Sequence, residues 1–230
     1  MPGLETGVQF HLPTYAHVPL PHLVELAKRG EAKGVGQFWV TDNLRSRNSF
    51  IVLAAFAGSL KIKLGTAITV QYFRNPVDLA DMVATLSELM DGRELSIGLG
   101  FGNPRTYTFV DTPKPISFLR ETSQSLRRLL NGEEVCFADY PNLLEYFNFN
   151  PKGLFKLNFA PTTPILQSFS ANGPFVLVCL DPNMNVLTFA SHYITPLRTA
   201  PLPEQLQIFN ADCNHIGVSA VAFMVNDIKL

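Results

Sequence analysis

Cysteine is scarce in this sequence and follows no pattern. The 230 residues include three cysteines, Cys136, Cys179 and Cys213, which are far apart and form no CxxC pair. An odd number of widely spaced cysteines favours neither a disulfide framework nor a zinc site, and His192 and His215 have no ligand-like spacing. We therefore expect reduced, mostly buried thiols and no metal centre.

Charge and long apolar runs are also lacking. Charged residues form 16% of the chain, the formal net charge is −1, and no helix face gathers Lys or Arg. A nucleic-acid partner needs a basic patch, so we expect none. No run of 18 apolar residues occurs, and no basic segment followed by an apolar run opens the chain. We therefore expect no membrane partner and a soluble, cytoplasmic protein.

Several short catalytic motifs are missing as well. The sequence contains no GxSxG, HExxH or P-loop pattern. Each of these motifs places a nucleophile, a zinc ion or a phosphate at a defined turn or helix. Their absence argues against a hydrolase and against a nucleoside triphosphatase.

Apolar residues are plentiful and form alternating strand and helix patterns. They make up 47% of the chain, enough for one large core in a single globular unit. The patterns predict strands at Gly7–Leu12, Gln37–Thr41, Lys61–Thr69 and around Gly98, and helices at Leu20–Lys33, Ser49–Leu60 and Pro76–Met90. Because two strands joined by a packed helix run parallel, this alternation predicts a parallel sheet or barrel.

The third helix has the clearest boundaries. Asn75 can cap its N-terminus, and Pro76 stands at the first helical position, where its missing N–H costs nothing. The apolar positions form one stripe: Leu79, Met82, Val83, Leu86 and Met90. Gly92 can adopt the left-handed conformation that ends a helix.

Three glycines at a spacing of two mark the fourth strand. Gly98, Gly100 and Gly102 share one face. Glycine weakens a strand interior, so three on one face indicate that a flat group comes close to the backbone. Crowding inside a small barrel is the alternative explanation. The stretch does not match the GxGxxG motif of dinucleotide-binding proteins, since Asn103 occupies the sixth position and no helix follows directly.

Polar and small residues follow each predicted strand. In parallel α/β folds ligands collect at the carboxyl ends of the strands. The residues at those ends are His11, Thr14, Asp42, Asn43, Ala67–Gln71 and Phe101–Asn103. We expect them to meet at one rim, where His11 could face a ligand or serve as a packing histidine. Arg74 could reach a phosphate, or it could be a solvated or ion-paired arginine, which is the commoner case.

The second half keeps the pattern less well. Beyond a predicted helix at Pro115–Leu130, the stretch from Glu133 to about residue 160 keeps neither period, so we expect it to be irregular. The later predicted elements are strands at Ile165–Phe169 and Phe175–Leu180, a turn at 181–185, a strand at 186–190, a short helix at Glu204–Phe209 and a strand at Val218–Val225. The turn between two apolar runs predicts an antiparallel hairpin.

Four motifs of the first half carry a family resemblance. They are FWVTDN at 38–43, LGTAIT at 64–69, RNPVDLADMVATLSEL at 74–89 and DGRELSIGLGFGNP at 91–104, with a weaker echo in TTPILQSFSANGP at 162–174. Together they resemble the bacterial luciferase-like flavin and deazaflavin oxidoreductases. The resemblance implies an α/β fold, a TIM-like (β/α)8 barrel in a single domain over residues 1–230. We expect regular β/α units over 1–132 and an incomplete or remodelled barrel over 133–230.

The resemblance also implies a cofactor site. A flat FMN ring or the ring of the deazaflavin coenzyme F-420 would lie at the carboxyl ends of the strands and carry the hydride chemistry. The matching cofactor-binding positions are Asp42, Ala67, Ile68, Thr69, Gly100, Phe101, Gly102, Asn103, Asn172 and Gly173. A non-prolyl cis peptide is expected between Ala67 and Ile68, and Asn172 with Gly173 would offer N–H groups to the cofactor phosphate. Asp42 and His11 are the candidate catalytic residues.

The implied function is an oxidoreductase or monooxygenase that transfers a hydride on a small organic substrate. Asn43 stands where many relatives have His, and Asn103 where alcohol-oxidising relatives often have an acid. An amide cannot act as a general acid or base near neutral pH. The alternative is a catalytically inactive flavin-binding or cofactor-free relative that works as a binding or scaffold protein. Relatives are often dimers, which leaves a homodimer open.

Overall fold

The first half of the chain folds into four pairs of strand and helix. The computed structural model describes residues 5–13, 15–100, 108–163, 165–170, 175–180, 186–191 and 221–225. The pairs are β1 (Glu5–Phe10), α1 (Leu20–Ala32), β2 (Gln37–Val40), α2 (Ser49–Ala57), β3 (Lys63–Val70), α3 (Pro76–Leu89), β4 (Leu95–Gly100) and α4 (Pro115–Leu130). The predicted alternation is confirmed, with boundaries shifted by a few residues. None of the helices in these ranges is both long and apolar enough to cross a bilayer.

The second half contributes shorter elements. They are β5 (Val135–Cys136), a 3-10 turn (Phe137–Asp139), α5 (Pro141–Phe147), β6 (Leu154–Phe155), β7 (Ile165–Ser170), β8 (Phe175–Leu180), β9 (Val186–Ser191) and β10 (Val221–Val225). The predicted hairpin is confirmed, because β8 and β9 pair antiparallel. The helix predicted at Glu204–Phe209 lies outside the described residues.

The expectation of an irregular stretch from Glu133 is wrong in part, because α5 forms within it. The Glu121 carboxylate, on α4, accepts hydrogen bonds from the backbone N–H groups of Asn142 and Leu143 at 2.9 and 3.1 Å. These two N–H groups belong to the first turn of α5, where a helix has no internal partner for its donors. The cap is therefore supplied from a distant part of the sequence, which a local pattern cannot show.

One open sheet of eight strands organises the fold, in the order β10-β1-β2-β3-β4-β7-β8-β9. Strands β1, β2, β3, β4 and β7 run parallel, while β10 joins β1 antiparallel and β8 joins β7 antiparallel. Among the described strands no ladder joins β9 to β10. The arrangement agrees with an α/β barrel fold that is regular in its first half and remodelled in its second.

The helices cover one face of the sheet. Side chains from β1, β2 and α2 meet there, since Phe10 packs against Phe38 and Phe56 with ring centroids 5.1 and 5.2 Å apart. The predicted cap of α3 is confirmed, because the Asn75 side chain accepts from the N–H groups of Val77 and Asp78. This core includes alternate residues of β1, β2 and β4, and strand alternation directs the residues between them to the opposite face.

The opposite face of the sheet contains the only tryptophan of the chain. Trp39 is 4% exposed and lies against Gly65 on the neighbouring strand. A Cβ atom added at Gly65 would lie 2.8 Å from the indole ring and 2.6 Å from the Ser96 carbonyl oxygen. Such distances are well inside van der Waals contact, so Gly65 is the glycine whose missing side chain allows this indole to lie on the sheet.

Candidate functional site

The carboxyl ends of β1, β2, β3 and β4 meet at one rim. Thr41 donates its N–H to the Phe10 carbonyl at 3.1 Å, and Gln71 donates its N–H to the Gly100 carbonyl at 3.0 Å. Asp42 donates its N–H to the Ile68 carbonyl at 3.2 Å. These bonds connect neighbouring strands just where each strand ends, as the sequence predicts.

The described part of the rim includes six of the predicted catalytic and cofactor-binding residues. They are His11, Asp42, Ala67, Ile68, Thr69 and Gly100. The other predicted cofactor-binding positions lie outside the described residues: Phe101, Gly102, Asn103, Asn172 and Gly173. Thr14, expected at the same rim, also lies outside them. Their proposed roles stay predictions.

The main chain of β3 has an unusual geometry at this rim. The peptide bond between Ala67 and Ile68 is cis, which confirms the expectation from the family resemblance. The Gln9 side chain of β1 donates from Nε2 to the Ala67 carbonyl oxygen at 2.5 Å. The register between β3 and β4 also shifts between Thr66 and Thr69. Gln9 is a residue that sequence reasoning missed, although it lies within the first predicted strand.

The Asp42 carboxylate is buried and accepts three side-chain hydrogen bonds. Its residue is 4% exposed, and its two oxygens accept from both terminal nitrogens of Arg74, one of them at 3.2 Å. Ser49 Oγ donates to the same carboxylate at 3.0 Å. The Arg74 guanidinium lies 5.4 Å from the centroid of the Phe50 ring. A forked pair of this kind fixes the orientation of the carboxylate.

This ion pair decides between the two roles considered for Arg74. The guanidinium is directed at a carboxylate, and its side chain is 9% exposed. Because Asp42 follows β2 and Arg74 precedes the Asn75 cap, the pair also links the end of β2 to the start of α3. In the sequence, Arg74 is recognisable only as an arginine that precedes a helix cap. Its partner could not be predicted from that position.

Two buried polar atoms at the end of β3 have no partner among the described residues. They are Thr69 Oγ1 and Gln71 Oε1, in side chains that are 0% and 1% exposed. An unpaired buried donor or acceptor costs roughly 1–3 kcal/mol, so such atoms are uncommon in folded proteins. The rim therefore offers unused hydrogen-bonding capacity beside the Asp42 ion pair.

Hydrogen-bonding atoms of this kind fit the polar edge of a flavin or deazaflavin ring. Such a ring presents carbonyl oxygens and one N–H, which need a donor and an acceptor in the protein. Thr69 has a hydroxyl, which can donate or accept, and Gln71 has an unpaired carbonyl oxygen. The donor set at the rim is thus compatible with an FMN or F-420 ring.

His11 follows β1 directly and is exposed at the rim. Partial burial lowers the pKa of its imidazole from the ordinary value. The neutral form therefore dominates at neutral pH, and a neutral imidazole can accept a proton. In the described ranges no three His, Cys, Asp or Glu side chains gather into a group able to hold a metal ion.

Comparison with known proteins gives one family match. The family described as luciferase-like monooxygenase matches residues 5–155. A 5,10-methylenetetrahydromethanopterin reductase of Archaeoglobus fulgidus is 30% identical over 194 residues, covering 82% of this chain and 54% of the relative. The reductase of the same name from Methanolobus tindarius is 31% identical over 120 residues, covering 51% and 36%. The chain thus spans about half the length, or less, of these curated relatives.

Solved structures of the same fold support the architecture. An F-420-dependent secondary alcohol dehydrogenase in complex with an F-420–acetone adduct has a TM-score of 0.58 at 21% identity, covering 74% of this chain and 53% of the other. The oxygenating constituent of 3,6-diketocamphane monooxygenase from Pseudomonas putida, in complex with FMN, has a TM-score of 0.50 at 19% identity, covering 57% and 41%. These likenesses concern the fold alone. Since the family match extends over well more than half of the sequence, the chain belongs to the luciferase-like monooxygenase family.

Proposed function

We propose that this chain is an oxidoreductase, or the cofactor-holding part of one, that uses coenzyme F-420 or FMN to transfer a hydride on a small organic substrate. The single observation that carries the proposal is the rim itself. There the ends of four parallel strands meet, and two buried polar atoms lack partners within the described residues. Membership of the luciferase-like family and the similarity to methylenetetrahydromethanopterin reductases support the choice of chemistry.

The residues of the rim have separable roles in this proposal. The main chain from Ala67 to Thr69 and at Gly100 supports a planar ring, which when bound supplies the hydride. Asp42 is held in one orientation by Arg74 and Ser49, so it shapes this edge of the rim. His11 is the group at the rim that can exchange a proton with a substrate near neutral pH. Phe101, Gly102, Asn103, Asn172 and Gly173 complete the proposed set.

A catalytically inactive, ring-binding relative is the second candidate. One observation favours it: the Asp42 carboxylate already accepts three hydrogen bonds, from Arg74 and Ser49, so most of its acceptor capacity is taken by the protein itself. Asn43, its neighbour, has an amide where many relatives have His. In this case the protein would bind the ring and leave it unchanged.

Binding and turnover together test the proposal. Equilibrium dialysis with FMN and with F-420 shows which ring is retained, and visible absorbance then follows its reduction or oxidation with NADPH, oxygen and small alcohols. We expect one ring to be retained and its absorbance to change with at least one of these reactants. Retention without any change would favour the inactive relative, and retention of neither ring would contradict both candidates.

Variants at the rim refine the test. Asp42→Ala should weaken ring binding, because it removes the charge that orients this edge of the site. Asp81→Ala, an exposed change on α3, is the matched control and should leave the dissociation constant unchanged. His11→Gln should lower turnover while ring binding persists. An unchanged turnover of His11→Gln would remove His11 from the catalytic residues.

A further inference from the structure

One flank of α4 does not receive the neighbour that a regular β/α unit provides. In a β/α barrel each parallel strand is followed by a helix, and the helices form an outer ring. Strand β7 is parallel to β4, so the helix of its unit would lie beside α4. Only four residues separate β7 from β8, which pairs with it antiparallel, and four residues are too few for such a helix. The unit that begins with β7 therefore supplies no helix to this side of α4.

A groove of about 670 Å³ lies along the outer face of α4. Its apolar part includes Ile116, which is 74% exposed, and the partly buried Leu119. The side chains of Ile116, Arg120 and Arg127 share this face, because they stand at positions i, i+4 and i+11 of the helix. The fully buried Phe118 lies on the opposite, core-facing side. An apolar groove with a polar rim is typical of an interaction site.

The rim of the groove is basic. Arg120, Arg127 and Arg128 line it, and no acidic side chain is among the described residues that do so. Arg128 serves the protein itself, since it donates to the Glu133 carboxylate at 2.9 Å and to the Glu134 carbonyl oxygen at 3.0 Å. These bonds hold the chain that follows α4 against the end of the helix.

Arg120 and Arg127 differ in what the helix alone explains. Arg127 lies in the last turn of α4, where a cation favours the helix dipole. Arg120 is exposed in the second turn, where the dipole gives it no such advantage. The two arginines are seven residues apart, which is two turns or roughly 10 Å along the helix. Two carboxylates with the same spacing on a facing helix would complement both charges.

We propose that the groove on α4 binds an acidic amphipathic helix of a partner protein, which takes the place of the helix that the β7 unit lacks. Apolar side chains of that helix lie against Ile116 and Leu119. Two of its carboxylates, about two turns apart, pair with Arg120 and Arg127. The same face of a second copy is a poorer occupant, because it would bring four arginines together.

Synthetic peptides test the proposal with the full chain. Three amphipathic helices of about five turns share one leucine face and differ at two flanking positions seven residues apart, which carry glutamate, glutamine or lysine. Fluorescence anisotropy measures their dissociation constants. We expect the glutamate peptide to bind about fivefold more tightly than the glutamine peptide, and the lysine peptide to bind most weakly. Equal affinities, or binding of none of the peptides, would overturn the proposal.

Charge reversal assigns the preference to the two arginines. Arg120→Glu combined with Arg127→Glu should make the lysine peptide the tightest ligand. Lys61→Glu combined with Lys152→Glu is the matched control, because it changes the net charge equally at exposed residues that do not line the groove. This control should keep the preference for glutamate. Ile116→Ser should weaken the binding of all three peptides several-fold, because it removes apolar contact area.

Two further results would count against the assignment. A preference for glutamate that survives the reversal of both arginines would overturn it, as would sedimentation showing that the chain alone self-associates through the same two arginines. In the second case the occupant would be another copy of the chain. Urea midpoints of the variants show that the compared proteins are folded.

Discussion

At the scale of single residues, the pair between Asp42 and Arg74 is the strongest electrostatic feature of the rim. The two side chains are 1% and 9% exposed. Removing one partner of a buried pair leaves the other charge uncompensated, which typically costs about 3–5 kcal/mol. We therefore expect Arg74→Met to lower the free energy of unfolding by about that amount, measured by urea denaturation.

An exposed pair provides the matched control. On α1, Lys28 Nζ lies 2.7 Å from Glu25 Oε1, and the two side chains are 45% and 64% exposed. Water screens such pairs, and they contribute about 0–1 kcal/mol. Lys28→Ala should therefore change the free energy of unfolding by less than about 1 kcal/mol. A loss of the same small size in Arg74→Met would show that the buried pair adds little to stability.

The lowered pKa of His11 makes the stability of the fold depend on pH, and it fixes the direction of that dependence. Burial lowers the pKa of this imidazole in the folded state, so the unfolded chain takes up the proton first as pH falls. Stability contributed through His11 is thus full above about pH 6.5, the ordinary value, and declines as pH drops through it. We expect the urea midpoint of His11→Gln to fall less than that of the unmodified protein between about pH 7.5 and 5.5. A steeper fall in the variant would contradict this assignment.

At the scale of elements, the packing of β2 on β3 and β4 depends on one glycine. A side chain at Gly65 would collide with the Trp39 ring and with the Ser96 carbonyl oxygen. The Ser96 oxygen belongs to the main chain of β4, so it cannot move away without disturbing the sheet. Overpacking of this kind costs about 1–3 kcal/mol or more. Gly65→Ala should lower the free energy of unfolding by at least about 1 kcal/mol and shift the emission of Trp39.

Gly58→Ala is the control for this substitution. Gly58, at the end of α2, has a helical φ of −72°, and its nearest neighbour would lie 3.6 Å from an added Cβ. The change reduces the freedom of the unfolded chain at little structural cost, so we expect a neutral or slightly stabilising effect of up to about 1 kcal/mol. Similar losses at both glycines would contradict the close contact at Gly65.

Arg93 joins the ends of two helices in a way that the sequence did not reveal. Its guanidinium donates to the carbonyl oxygens of Ala57 and Leu60 at the end of α2, and to Leu89 and Met90 at the end of α3. Helix ends leave such carbonyls without internal partners, and a cation there also favours the helix dipole. We expect Arg93→Met to destabilise the fold by about 2–4 kcal/mol, measured by urea denaturation.

Lysine at the same position tests the geometry of this contact. A lysine keeps the charge but lacks the fork that reaches several carbonyls at once, so Arg93→Lys should recover only part of the loss. Arg120→Met, an exposed change on α4, serves as the control and should be nearly neutral. Full recovery in Arg93→Lys would show that charge alone accounts for the effect.

Capping and helix-ending residues close to a helix made α3 predictable from the sequence, whereas α5 has no such local signal. The Asn75 cap, Pro76 and Gly92 define α3 within a short window, and the structure agrees closely. Helix α5 could not be found this way, because its cap comes from Glu121 on another helix. The same holds at the rim, where Asp42 was expected but its pairing with Arg74, thirty-two residues later, was not.

At the scale of the whole molecule, the sheet contains strand pairings that local sequence patterns indicate and others that they do not. The four βα units are each visible as local periodicity, so their parallel order was predictable. The pairing of β10 with β1 and of β7 with β8 joins segments that carry no local sign of their partners. The rim is formed by the ends of the four parallel strands, which local periodicity predicts. Most of its described residues were therefore predicted.

The central claim is that the rim formed by the first four parallel strands binds a planar redox ring. Trp39 is the only tryptophan and lies on the same face of the sheet, so a ring bound there should quench its emission. The decisive measurement is a titration of the full chain with FMN and with F-420 while Trp39 fluorescence is followed, corrected by the same titration of urea-unfolded protein. We expect saturable quenching by at least one ring. Emission that stays unchanged with both rings, up to a ring concentration of about 1 mM, would contradict it.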